Sequence, residues 1–257
     1  MKRKRTAAAP PDRSIRIQAY EHVRQMILQG ELPPESLVSE LAIAEKLGSS
    51  RTPVREALGQ LVAEGLLQQT PNRGTTVVRF NRQDIVDLYE LREALEAYAA
   101  RKAASLKPLG AEMEQWRSVT RGILALRDEL ARTALSALDA EQMQQFISID
   151  YAFHTMLMHL GGNARMVKVV NDSRLLVRIF IMGREAYSTA QLDALYRQHE
   201  EIIDAVDSGD QDRAASTISA HIRTSLQERL VAFESWERTA LLKKNIPAFF
   251  PAWQTPG

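Results

Sequence analysis

Apolar and polar positions alternate along most of this chain with a helical period, and in one short region with the period of a strand. Residues Ile15 to Gln29 carry Ile17, Tyr20, Val23 and Ile27 at helical spacing and stop at Gly30. Ser39 can cap a second, short helix through Leu47, with Leu41, Ala44 and Leu47 turned inward, and Gly48 and Ser49 make a tight turn. Val54, Ala57, Leu58, Leu61 and Val62 then form the buried stripe of a third helix. After Gly65, Leu66 to Gln69 and Thr75 to Val78 read as two strands joined by Pro71, Asn72, Arg73 and Gly74. From Asp84 onward only helical periodicity is found: 84–105, 109–134, 140–160, 164–187, 189–207 and 210–242. The predicted fold is mostly α, an N-terminal winged helix-turn-helix with a small β wing followed by a C-terminal all-α antiparallel helical bundle. The domain boundaries are a basic tail over 1–13, the winged domain over 14–80, the bundle over 81–242, and a tail rich in aromatics and proline over 243–257.

The entry into the third helix carries chemistry. The run Ser50 to Leu58 reads SRTPVREAL. Thr52 precedes a proline and is expected to act as N-cap, with Pro53 at the first helical position. Arg51, Thr52 and Arg55 are left around the N-terminal end of the helix, where a recognition helix meets base edges, and arginine forks onto guanine O6 and N7. The wing tip adds Arg73 and Gly74.

Charge supports a division of labour. Net charge is +1, but residues 1–80 hold 12 Lys and Arg against 8 Asp and Glu, and the remainder 21 against 24. A basic head on a slightly acidic body suits phosphate contact through one domain. There is no cysteine, so disulfides and thiolate metal sites are excluded. No apolar run approaches a membrane span, and the first residues lack the apolar core of a signal peptide, so a cytoplasmic protein is expected. Lys2, Arg3, Lys4 and Arg5 form either a solvated tail or an arm that adds phosphate contacts, and Phe249, Phe250 and Trp253 suit a docking segment.

Polar residues interrupt the bundle's apolar stripes. One stripe runs Met143, Phe146, Ile147, Asp150, Phe153, His154 and Leu157; another Leu192, Leu195, His199, Ile202 and Val206; on the next, Ile218 and Ile222 flank His221. Ser208, Gly209 and Asp210 make a hairpin turn, with His199 ten residues before Gly209 and His221 twelve after it. At about 1.5 Å per residue the two histidines stand at nearly the same height on antiparallel helices. Asp150, His154, His199 and His221 can then meet and share one divalent cation per chain, zinc first, with nickel, manganese or iron also compatible with the donors. His22 and His159 fall outside the group. Arg92 interrupts the stripe of Ile85, Leu88, Leu95 and Ala99. Its buried charge calls for an anion: Glu96 or another bundle carboxylate in one reading, the carboxylate of a bound ligand in the other. Asn171 and Arg174, on the following helix, are further candidates for facing that cavity.

On these residues Ala19 to Val78 resembles the DNA-binding head of GntR-family bacterial transcription regulators, through SRTPVREAL, the following LVAEGLL and the glycine wing. The resemblance implies that Arg51, Thr52 and Arg55 contact bases or adjacent phosphates and that Gly74 lets the wing approach the minor groove. Gly59 and Gln60 stand where such heads often carry another basic residue, and Glu35 where a turn glycine is common. Gln83 to Leu242 is similar to the helical effector domain of the FadR-type branch, the FCD domain. That likeness implies the same Asp and three His as metal ligands and an arginine at the place of Arg92 that grips ligand carboxylates. The expected function is a ligand-responsive transcription regulator, more a repressor than an activator, which is not an enzyme. A homodimer would read a short inverted repeat of double-stranded operator DNA and sense a small carboxylate through the metal. The competing classes are a metal-dependent hydrolase, for which no additional acid or base is nominated, and a DNA-binding protein with a purely structural metal.

Overall fold

Ile15, Ala19, Val23 and Ile27 recur every fourth residue and are all buried, which closes one side of the first helix, α1 (Asp12–Leu28), against the rest of the head. The computed structural model describes residues 12–71, 73–180 and 187–245, which form two units divided after Asn81. Ile17 lies on the other side of α1, half exposed, so the inward stripe runs one position off the expected one. The short helix α2 (Glu40–Lys46) is capped by Ser39, whose hydroxyl accepts from the Ala42 N–H at 3.2 Å. Its inward residues are Ile43 and Ala44, while Leu41 points to solvent, 54% exposed. Seven residues span barely two turns, so the helix buries one narrow edge. Gly48, at φ 60°, closes α2: its N–H reaches Glu45 O, and that of Ser49 reaches Ala44 O. This paired arrangement needs a left-handed residue after the cap.

The third helix, α3 (Arg51–Ala63), begins one residue after Ser50, which holds the extended N-cap conformation. Thr52 is therefore inside the helix, not its cap, and Pro53 sits in the third position. The first-turn N–H groups have no intrahelical partner, so a proline is tolerated anywhere in that turn. Strands β1 (Leu67–Thr70) and β2 (Gly74–Val77) pair antiparallel, with Leu67 opposite Val77 and Thr70 opposite Gly74. The segment before α2 joins them as an added edge. Val77 N–H donates to Ser36 O, Val38 N–H to Thr75 O, and Leu37 bridges Thr76.

The second unit comprises α4 (Arg82–Leu106), α5 (Gly110–Ala131), α6 (Ala140–Leu160), α7 (Ala164–Phe180), α8 (Thr189–Asp207) and α9 (Gln211–Asn245). The helix expected over 84–105 starts two residues earlier, at Arg82, which leaves Asp84 in its first turn. There a carboxylate still favours the exposed N–H groups of the helix dipole. The α7 helix is described to Phe180, the rest of the expected 164–187 segment lies outside the described residues up to Tyr187, and both tails lie almost wholly outside them.

The α4 helix packs along α9 and α6, and α5 along α8 and α6. Alanines at 99, 100, 103 and 104 line the buried side of α4. They let Gly161, at the end of α6, approach so closely that an added Cβ would stand 3.0 Å from the Ala99 backbone. Trp116 and Phe153 fill the centre, and the indole N–H donates to Phe153 O at 3.0 Å. The α8–α9 hairpin turns at Gly209, φ 73°, whose N–H reaches Val206 O while that of Asp210 reaches Ala205 O. The Asp210 carboxylate accepts from Arg213 N–H and opens α9. This turn fixes the register that decides whether His199 and His221 meet.

Candidate metal centre and DNA-reading surface

Three helices bring four side chains of the second unit together. Asp150 and His154 lie one turn apart on α6, His199 comes from α8 and His221 from α9, and one ligand atom of each falls within 4.8 Å of every other. All three imidazoles are buried and Asp150 is partly so. His154 Nε2 and His221 Nε2 are 3.3 Å apart. Asp150 Oδ1 lies 3.7 Å from His154 Nε2 and 3.8 Å from His199 Nε2. Ligands about 2.0–2.2 Å from a shared ion in tetrahedral array stand about 3.4 Å from one another, so this spacing fits.

The partners of the far ring nitrogens support that fit. His154 Nδ1 meets Glu96 Oε2, and His221 Nδ1 lies 2.8 Å from Gln198 Oε1. Both partners are acceptors, so each Nδ1 carries the proton and each Nε2 turns a lone pair inward. Two lone pairs facing each other at 3.3 Å suit a cation between them. His199 is held by Phe153, whose ring stacks on the imidazole at 3.6 Å with an interplanar angle of 3°. His221 is pushed down to about 3, by burial first and then by His154 beside it, so its ring is neutral and available as a ligand.

Arg92 lies beside this centre, 4% exposed. Its Nε donates to Glu96 Oε1 at 2.9 Å and its guanidinium carbon sits 4.8 Å from the centre of the Tyr89 ring. The internal partner weighed from sequence is thus present. Burial acts against the charged guanidinium, but Glu96, Tyr89 and Asp150 outweigh it, and the group is raised above its ordinary value. Asn171 is half-buried and its Oδ1 accepts from Thr155 Oγ1 at 3.2 Å. The side chain of Arg174 lies outside the described residues.

The part that four groups play here was missed by sequence reasoning. Glu96 was weighed only as a counter-ion for Arg92, although its place one turn after Arg92 on the buried stripe also aims it at His154. Gln198 left no signal, since its contact is made across a hairpin. Arg229 is buried, with Nε donating to Tyr89 OH at 3.3 Å and a terminal nitrogen to Tyr187 OH at 2.7 Å. The Tyr187 hydroxyl is raised well above its ordinary value, by burial and then by Asp150.

In the first unit, Arg51 and Arg55 both emerge on the exposed side of α3 and both reach Glu40 at the start of α2. Arg51 donates at 2.8 Å, and Arg55 donates twice, at 3.1 and 3.0 Å. Paired first with Arg55, the Glu40 carboxyl is held below the usual range. Thr52 is exposed between the two arginines. Arg73 is exposed in the wing, its N–H closing the turn onto Thr70 O at 3.0 Å, and Gly74 follows at φ 87°. A side chain at Gly74 would be strained whatever the space around it.

The chain matches two family models: "Bacterial regulatory proteins, gntR family" over residues 16–77 and "FCD domain" over residues 87–224. It is 37% identical over 213 residues to an uncharacterized HTH-type transcriptional regulator in an unstable DNA locus of Streptomyces ambofaciens, covering 82% of this chain and 83% of that one. A probable D-xylose utilization operon transcriptional repressor of Paenarthrobacter nicotinovorans is 30% identical over 213 residues, covering 83% and 88%. Among solved structures, E. coli McbR/YncC superposes with a TM-score of 0.65 at 16% identity, covering 86% of this chain and 98% of that one. A putative GntR transcriptional regulator from Rhodococcus sp. RHA1 superposes with a TM-score of 0.64 at 20% identity, covering 85% and 99%. The last two likenesses bear on the fold alone.

Proposed function

Because this chain belongs to the GntR family of bacterial transcription regulators, with an FCD domain, we propose that it is a cytoplasmic, homodimeric repressor that releases its operator on binding a small organic acid. The observation that carries the reading is the meeting of Asp150, His154, His199 and His221 in the bundle, with the buried guanidinium of Arg92 tied to one of them through Glu96. Those four residues would hold one divalent ion, zinc first among those that accept nitrogen and oxygen donors, with nickel, manganese and iron the others. The ion supplies a Lewis-acidic anchor for a carboxylate. Arg92 supplies a second anchor with a fixed planar fork, and Asn171 and Arg174 would complete the polar wall. A carboxylate with a neighbouring hydroxyl, as in hydroxy acids and sugar acids, has the atoms to use both anchors.

Arg51, Thr52 and Arg55 would enter the major groove, with Arg73 and Gly74 of the wing beside it. A single head offers few base contacts, so two heads on a short inverted repeat are the reading chosen. Leu91 and Tyr98, two turns apart on α4, and Val169 on the adjoining α7 leave apolar surface exposed at 41%, 54% and 42%, which a second copy would cover. The Paenarthrobacter relative, named as a probable repressor, supports the sign of regulation.

The test joins both sites. Protein purified without chelator should carry about one divalent ion per chain by elemental analysis. His199→Ala and His221→Ala should lower that content. A panel of hydroxy and sugar acids should raise the melting temperature of the metal-loaded protein and weaken its binding to the operator region. Arg92→Lys, which keeps a cation for Glu96 but loses the fork, should keep operator binding and lose the response. A full response in that variant would return Arg92 to a structural ion pair, and a wild type that takes up no supplied metal would sink the four-residue centre.

A further inference from the structure

We propose that Glu96 is a positioning residue that ties the metal centre to Arg92, so that whatever engages the guanidinium alters how tightly the ion is held. The inference rests on the metal reading above. It concerns a residue that touches neither the ion nor the acid.

Glu96 is fully buried in α4, and its two carboxylate oxygens face in different directions. Oε1 accepts from Arg92 Nε at 2.9 Å, and Oε2 meets His154 Nδ1. One rigid group therefore joins a cation and a metal ligand through two charge-assisted hydrogen bonds. The three imidazoles are not held alike. His221 leans on a neutral amide, Gln198 Oε1, at 2.8 Å, and His199 is fixed by the stacked Phe153 ring. Of these three supports, only that of His154 is a charged group with a second, charged partner. A carboxylate behind an imidazole fixes the tautomer and raises the donor strength of the opposite nitrogen. How much of the carboxylate's charge is directed to His154 depends on what else draws on it. When the Arg92 guanidinium is shared with an incoming anion, its pull on Oε1 weakens and Oε2 becomes the stronger acceptor. By linkage, the factor by which an anion at Arg92 tightens metal binding equals the factor by which the metal tightens anion binding.

Metal alone suffices for the test. Cobalt(II) is loaded into the full-length wild type, Glu96→Gln, Arg92→Gln and the double variant. The visible spectrum of the bound cobalt and its rate of loss to an excess of a chromogenic chelator are recorded. The double variant carries no unbalanced buried charge, which keeps the comparison usable if either single variant folds poorly; melting curves of the metal-free proteins report that. Expected for Glu96→Gln is a spectrum shifted from wild type and about a 10–100-fold loss of metal affinity, read as faster release. Arg92→Gln, which removes no ligand, should shift the spectrum and slow release, and the double variant should behave like Glu96→Gln alone, because the arginine reaches His154 only through that carboxylate. A wild-type spectrum and release rate in Glu96→Gln would overturn the inference and leave the metal reading standing. Independent, multiplicative effects would do the same. Failure of the wild type to take up cobalt would overturn both.

Discussion

Glu35 adopts a φ of 68°, the left-handed region where a residue with a Cβ is strained by about 1–2 kcal/mol. The strain is imposed by the hydrogen bonds on either side, since Glu35 N–H donates to Val77 O and Ser36 O accepts from Val77 N–H, which together fix the added edge of the wing. The side chain returns little, because its contact with Arg79 is 3.5 Å long and both groups are exposed. Glu35→Gly is therefore expected to stabilise the protein by up to about 1 kcal/mol after glycine's own entropic cost, seen as a melting temperature higher by a few degrees. An unchanged or lower value would mean that the turn relaxes around glutamate at no cost. The position was visible in the sequence as a glutamate where a turn glycine is common; its dihedral was not.

The short helix α2 and the helix α3 are joined through one carboxylate, that of Glu40. Arg55→Ala is expected to cost about 1–3 kcal/mol of specific operator affinity, as for loss of a bidentate contact to guanine. Glu40→Gln removes no DNA-contacting group, yet it releases both arginines from their common anchor and should reduce specific affinity by lengthening the search of side-chain conformations. Titration of a labelled operator against a scrambled duplex measures both, and full specificity in Glu40→Gln would show that the arginines need no support. The elements themselves were legible wherever apolar spacing was long and bounded by turn residues. The level of His199 and His221 followed from counting to Gly209, because a tight hairpin leaves one register. Short pieces misled. In α2 the stripe was assigned by spacing alone and Leu41 proved exposed, and in α3 the residue before the proline was taken as the cap although the helix starts at Arg51. The supports of the candidate metal centre were hidden for another reason. Glu96 and His154 are 58 residues apart and Gln198 and His221 are 23 apart, and no local pattern reports such pairs.

At the scale of the whole molecule, the buried His221 bears on how metal-free protein responds to acid. His221 stays neutral in the folded chain down to about 3, whereas an unperturbed imidazole takes its proton near 6.5. Between those values the unfolded chain binds more protons, so stability rises with pH and is lost as pH falls from 6.5 toward 3. Melting temperatures of the metal-free protein should drop across that window, and His221→Asn should give a flatter profile; parallel curves would show that other groups govern the acid transition. The clasp of Glu40 on Arg51 and Arg55 has a different reach. It cancels one of the two positive charges at the start of α3, so if that end meets DNA, a head passing over an arbitrary sequence would displace fewer counterions and adhere less. On a matching site the remaining guanidinium N–H groups would reach guanine edges while Glu40 still orients both arginines. If these arginines read the operator, residence would be shortened on the many wrong sites of a chromosome at little expense on the right one, and the operator would be found sooner.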